Sequence, residues 1–244
     1  DFGDDGYFWL SYEDTSTSVA VFYELRPSAE YDSIYQYDGS LSNGGIYSIE
    51  PIIEDGMTVA SSMNVYTASG DELITHVSFE TFNTHVSYAV LVTNGTEDFM
   101  YVQEGELLSP GYYTVELTTP VSVREGETFA VAVAFAVPDT SANIIDGTST
   151  LMLPVDQNDS DGGLFFTSVS RPKESWWFDG SNYFDAYDLQ SDVIGQYNFR
   201  IKAFAVNVAS APSSTSAALT VADPIVASAE TADTAYVAYS TSTI

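Results

Sequence analysis

This sequence predicts an all-β fold, an antiparallel β-sandwich of jelly-roll type, on the strength of three observations. Apolar residues recur with a period of two along most of the chain, the spacing of strands with one face buried. Gly, Pro, Asn and Asp punctuate these runs about every 8–15 residues, as strand-to-strand turns require. No segment carries a 3.6-residue apolar repeat over three turns, so helices are not expected to build the core.

The elements follow in chain order. Residues 1–27 open with a glycine-rich turn, Asp1-Phe2-Gly3-Asp4-Asp5-Gly6, that feeds an aromatic strand; residues 19–25 read as a second strand. Two strands alone are marginal in water, so this piece needs a partner sheet. Residues 28–35 read as a linker and residues 36–206 as the sandwich. Within it, residues 86–92 form a β-rich run that ends at the turn signal Asn94-Gly95. Residues 112–117 follow Pro110-Gly111, with Tyr113, Val115 and Leu117 on one face. Residues 120–123 lead into the tight turn Glu125-Gly126-Glu127. Residues 129–137 place Phe129, Val131, Val133, Phe135 and Val137 on one face and four alanines on the other; so apolar a run predicts a central strand covered on both sides. Residues 196–206 read as one closing strand, with Tyr197, Phe199, Ile201, Ala203 and Ala205 on one face. The opposite face starts polar with Asn198, Arg200 and Lys202 and turns apolar at Phe204. Residues 207–244 are mostly Ala, Ser and Thr, contain no Lys or Arg and are interrupted by Pro212 and Pro224. This composition buries too little apolar area to offset chain entropy and predicts a flexible stalk.

Composition narrows function. The 244 residues are 45% hydrophobic and 14% aromatic, ample for a packed core. Thirty-five Asp and Glu against 6 Lys and Arg give a formal charge of −29. That excludes nucleic acid as a partner, because phosphate binding needs clustered cations, and it disfavours docking on anionic lipid. No run approaches the roughly 18 apolar residues of a membrane span, so the chain is not expected to be membrane-spanning. With no cysteine, neither a disulfide nor a thiolate nucleophile can form. The acidic balance fits a protein adapted to salt and equally an ordinary acidic surface protein.

Phe2-Gly3-Asp4-Asp5-Gly6-Tyr7-Phe8 resembles the stretch that follows the catalytic asparagine in papain-like cysteine peptidases. There an Asn-Ser-Trp-Gly motif precedes a Gly-Tyr-Phe and the closing strands of the barrel half; Phe2 stands where that family usually has Trp. The next part resembles the lectin-like domain that follows such peptidases in secreted bacterial and archaeal proteins. The matching stretches are Ile34-Tyr35-Gln36-Tyr37-Asp38-Gly39, Asn64-Val65-Tyr66-Thr67-Ala68-Ser69-Gly70-Asp71-Glu72 and Val77-Ser78-Phe79. Gly111-Tyr112-Tyr113-Thr114-Val115, the run from Pro120 to Phe129 and Glu174-Ser175-Trp176 continue it.

The resemblance covers residues 1–206 and implies closing strands of a papain-like domain over 1–27, followed by the lectin-like sandwich. Catalysis does not carry over. A papain-like site needs a thiolate, an activating imidazole and an orienting Asn. This chain has no cysteine, His76 and His85 lie far past the catalytic position, and the family's Asn would precede Asp1. The expectation is therefore no catalytic residue and no proteolysis by this polypeptide. It is instead an extracellular or cell-surface accessory module of an upstream peptidase domain, binding a glycan or a surface protein. The alternative is a structural adhesin or spacer without sugar affinity.

Candidate sites come from the residues themselves. Trp176, Trp177, Asp179, Asn182 and Tyr183 offer flat aromatic faces for sugar rings beside polar groups for their hydroxyls. Adjacent strand residues point to opposite faces, so at most one of the two tryptophans faces a given core; the plainer reading is that both simply pack. Asp156, Asn158, Asp159 and Asp161 form an oxygen-rich loop that offers Ca2+ ligands. The plainer reading there is a solvated turn and no cofactor. His76 and His85 lack a third ligand nearby. Asn94-Gly95-Thr96 and Asn158-Asp159-Ser160 fit the N-glycosylation pattern. Glu50, Glu54, Asp55, Asp71 and Glu72 offer carboxylates for a glycosidase pair, which requires two carboxyls about 5–9.5 Å apart across a cleft that sequence does not place.

Overall fold

The computed structural model describes residues 30–38, 44–48, 52–54, 57–94, 100–138, 140–142, 147–148, 150–157, 169–178, 182–189 and 197–208. All lie in one compact unit. The strands expected within residues 1–27, and the stalk beyond Val208, lie outside the described residues.

Among the described residues, period-two patterning translates into fourteen strands: β1 (Ser33–Tyr35), β2 (Gly44–Ser48), β3 (Ile52–Glu54), β4 (Met57–Thr67), β5 (Glu72–Thr81), β6 (Val86–Thr93) and β7 (Met100–Leu107). There follow β8 (Gly111–Val123), β9 (Thr128–Pro138), β10 (Met152–Gln157), β11 (Ser175–Phe178), β12 (Tyr183–Asp185), β13 (Tyr197–Phe199) and β14 (Ile201–Asn207). A 3-10 turn, Ala186–Leu189, follows β12. A seven-stranded sheet runs β12-β11-β4-β9-β6-β7, with β3 also on β4; a four-stranded sheet runs β1-β14-β5-β8; a smaller one runs β13-β10-β2. Every pairing is antiparallel. From β4 to β9 the chain crosses repeatedly between the two larger sheets, with β6 and β7 as a hairpin within the seven-stranded one. Ser33–Tyr35, within the span read as a linker, are a strand paired to β14.

The core lies between the sheets. Val77 and Phe79 of β5, Val86, Val90 and Val92 of β6, and Val115 and Leu117 of β8 meet the inner row of β9, and all are at most 3% exposed. Each such Val or Phe contributes about 1.5–3 kcal/mol of burial. The Tyr88 ring of β6 lies over Gly105 of β7, where a Cβ would sit 2.7 Å from Tyr88 Oη.

Two expectations change. The residues of 129–137 do form the middle strand of a sheet, but cover on the alanine side is partial. Ala130 and Ala132 are buried in a cluster with Met63, against which Val65, Leu91 and Trp176 pack, while Ala134 and Ala136 stay half-buried. Residues 196–206 are not one strand. They break at Arg200, where β13 pairs with β10 and β14 turns into the four-stranded sheet. The carbonyls around the break are satisfied by side chains: Asn64 Nδ2 donates to Phe199 O (2.9 Å) and Ile201 O (3.1 Å), and Tyr66 Oη donates to Ile201 O (2.5 Å). Asn198 and Arg200, on the face that starts polar, are buried.

The chain enters and leaves the sandwich side by side. Asp32 Oδ2 accepts from Asn207 N (2.7 Å), and Asp32 N donates to Ala205 O (2.9 Å). Glu72, 2% exposed, fastens β1 there by accepting from Ser33 Oγ (2.5 Å) and Tyr35 Oη. This is also the pole of the β4–β5 and β8–β9 turns, which Asp71 Oδ1 joins by accepting from Glu125 N (3.1 Å).

Candidate functional site

The β11–β12 hairpin forms one edge of the seven-stranded sheet, and its register sorts the aromatic residues. Trp177 opposes Phe184 and Ser62; Trp176 opposes Asp185 and Met63; Phe178 opposes Tyr183 and Ser61. Directly opposed residues share a face, so Trp177 and Phe184 point inward while Trp176, Phe178 and Tyr183 point outward. Trp177 packs against the main core and stacks on Phe184, with ring centroids 5.2 Å apart and planes 27° apart. Its Nε1 is buried and makes no hydrogen bond. Trp176 lies on the outer cluster of Met63, Ala130 and Ala132 and donates from Nε1 to Lys173 O at 3.3 Å. Phe178 and Tyr183 pair at 4.8 Å, and Tyr183 is 41% exposed. β11 runs antiparallel to β4, so the hairpin turn points away from the pole where the chain enters and leaves.

Of the sequence-predicted ligand residues, the outer face holds Trp176 and Tyr183 with an added partner in Phe178. Asn182 is exposed beside Tyr183, and Asp179 lies outside the described residues. Asp185 is engaged locally: Oδ2 accepts from Lys173 N (2.7 Å) and Oδ1 from Tyr187 N (3.1 Å). Of the loop read for Ca2+, only Asp156 is described, and it is fully buried; Asn158, Asp159 and Asp161 lie outside. Among the described residues no three His, Asp or Glu side chains gather as a metal site. His76 is on β5, in edge contact with Tyr31 (5.2 Å), whereas His85 is exposed in the following turn with φ 54°. Asp71 and Glu72 hold turns and strand β1, as described above; Glu50 and Asp55 lie outside the described residues. Asn94 stands half-buried after β6, and Asn158 is not described.

Sequence reasoning missed a buried polar seam at the strand break. Ser175 Oγ donates to Asn64 Oδ1 (2.6 Å) and lies 3.1 Å from Asn198 Oδ1. Arg200 pairs with Glu80 (2.6 Å) and Lys202 with Asp38 (3.1 Å). Burial raises the Asp38 carboxyl above its usual range despite Lys202, and burial likewise raises the Tyr66 and Tyr112 phenols. Tyr37, whose hydroxyl donates to Val65 O, is pushed up to about 12, first by burial and then by the charge of Glu174. Two of the chain's six basic residues are thus committed to internal pairing. The alternating polar residues Asn198, Arg200 and Lys202 were the available signal, but nothing local marks the change of sheet that buries Asn198 and Arg200.

The antiparallel sheets and the register of the β11–β12 hairpin define an all-β sandwich with outward aromatic residues at one edge. The chain belongs to the lectin-like domain family, whose model matches residues 34–205. Among solved structures it is similar to the cysteine protease and lectin-like domains of Cwp84, a surface layer associated protein of Clostridium difficile. That match has 21% identity and a TM-score of 0.48, covering 68% of this chain and 36% of that one. It is similar also to the clostridial cysteine protease Cwp84 after propeptide cleavage, at 20% identity and a TM-score of 0.48, covering 68% and 41%. No curated protein matches. Among the described residues no helix is long and apolar enough to cross a membrane.

Proposed function

We propose that this chain is a non-catalytic accessory module of a secreted or cell-surface papain-like cysteine peptidase, and that its sandwich binds carbohydrate. The observation that carries the reading is the outward row Trp176, Phe178 and Tyr183, with Tyr183 41% exposed, in a lectin-like domain. Aromatic faces suit the apolar faces of sugar rings, and a phenol supplies a polar tip. The upstream peptidase rests on the resemblance of Phe2-Gly3-Asp4-Asp5-Gly6-Tyr7-Phe8. Holding a peptidase beside a surface raises its effective concentration there without any new catalytic group.

A glycan array probed with the wild-type chain and with Tyr183→Ala tests the reading. Binding that the variant loses supports it; no binding by either form replaces it with the spacer or with a module that holds a surface protein. A peptidase assay on the chain alone is expected to stay at the buffer level. The calcium reading stays with the loop after β10, anchored at Asp156. It predicts a higher melting temperature with Ca2+ and a lower one after EDTA, and an unchanged temperature discards it.

A further inference from the structure

Resting on the carbohydrate reading, we propose that the bound glycan ends in an acidic sugar, whose single carboxylate is taken by Arg171 and Lys173 beside the outward aromatic residues. The turn Arg171-Pro172-Lys173-Glu174 leads into β11, and hydrogen bonds pin it to the outer face. Lys173 N donates to Asp185 Oδ2 (2.7 Å), and Lys173 O accepts from Trp176 Nε1 (3.3 Å). Trp176 and Asp185 are directly opposed and so share a face; the backbone of Lys173 touches both members of this outward pair. Glu174 Oε2 closes the turn by accepting from Arg171 N (2.8 Å). The next outward pair, Phe178 and Tyr183, stands two residues along β11, about 7 Å away. One bound oligosaccharide can therefore meet both the turn and the aromatic pair.

The distribution of charge selects the ligand. Of the chain's six basic residues, Arg200 and Lys202 are used in internal pairs. Arg26 lies outside the described residues, and Arg124 stands in the β8–β9 turn. The other two, Arg171 and Lys173, meet in this one turn, and both are exposed, the Arg171 side chain at 71%. Among the described residues Lys173 Nζ makes no ion pair, and Arg171 reaches only Glu174, at 3.4 Å. The carboxylates beside them are already engaged: Glu174 by Arg171 N, Asp185 by the N–H groups of Lys173 and Tyr187. Lys173 holds φ 70°, a left-handed conformation that glycine or asparagine adopts more readily, so lysine is not there for its backbone. A guanidinium fork and an ammonium together suit a carboxylate. The rest of the surface limits the ligand's charge. A chain at −29 repels a polyanion, but screening over about 8 Å at physiological salt leaves a single carboxylate to the two local cations.

The test is an array of glucose, galactose and mannose tetramers, each beside a form whose terminal ring is oxidised to the uronic acid and a form with a 6-phosphate there. The protein forms are the wild-type chain, Arg171→Gln, Lys173→Gln, the double variant and Tyr183→Ala, each checked for an unchanged circular dichroism spectrum. The wild-type chain is expected to bind a uronate roughly tenfold more tightly than its neutral partner, with a preference that shrinks as salt is raised. Each single Gln variant loses part of that preference and the double variant all of it, with neutral binding kept; Tyr183→Ala weakens all forms alike. Equal binding of neutral and uronate tetramers by the wild-type chain overturns the proposal and leaves the carbohydrate reading standing, as does a preference that survives in the double variant. Tighter binding of the 6-phosphate than of the uronate overturns the carboxylate as the ligand group. Silence on the whole array overturns the carbohydrate reading itself.

Discussion

The inner and outer faces of the seven-stranded sheet are made by the same strands and treated in opposite ways. On β9 the inward row from Phe129 to Val137 is at most 3% exposed, whereas Ala134 and Ala136 of the outward row stay half-buried. On β11 the division falls between neighbours, with Trp177 on the core and Trp176 on the outer cluster. The difference teaches that large side chains here serve two ends. Inside they fill a shared volume fixed by two sheets; outside they stand at an edge, where only one sheet constrains them.

The comparison breaks first at Phe135. Phe135→Ala empties a site 3% exposed and is expected to cost about 3–5 kcal/mol, read as a fall in the urea midpoint; a loss below 1 kcal/mol would mean the inner face is loosely packed. The two tryptophans sharpen it. Trp177→Ala is expected to lose about 2–3 kcal/mol and Trp176→Ala about 1 kcal/mol, and the reverse order in thermal melts would invert the assignment of faces. Gly105→Ala drives a Cβ onto the Tyr88 ring from the edge strand and is expected to cost about 1–3 kcal/mol by overpacking, relieved in the double variant with Tyr88→Ala.

The smallest effect is a pH dependence. Tyr37 has a folded pKa of about 12, above its ordinary 10.0. Its stabilising contribution is complete below the unfolded value and is lost as pH rises through the folded one. Urea midpoints of the wild-type chain therefore decline more steeply between those two values than those of Tyr37→Phe, and parallel curves would remove Tyr37 from the account.

Much of this was legible along the chain. The face occupied by Tyr197, Phe199, Ile201, Ala203 and Ala205 is buried at every position, as its alternation predicts. The opposite orientations of Trp176 and Trp177 also follow from the two-residue period. Less legible was the hairpin's third outward aromatic, Phe178, because only pairing with Tyr183 gives it a partner. The seam of Asn64, Ser175 and Asn198 was hidden for the same reason: its members lie 111 and 23 residues apart along the chain.

Sequence by itself determined the all-β character, the buried sides of β9 and β14, the lack of a thiol and the net charge of −29. These are local or summed properties: a side chain's polarity, a period and a total charge. Tertiary structure alone decided the change of sheet at Arg200, the partial cover over the β9 alanines and the outward pairing of Phe178 with Tyr183. Each depends on strand order and register, which are set by the packing of segments far apart in the chain and leave no trace in the period of any one of them.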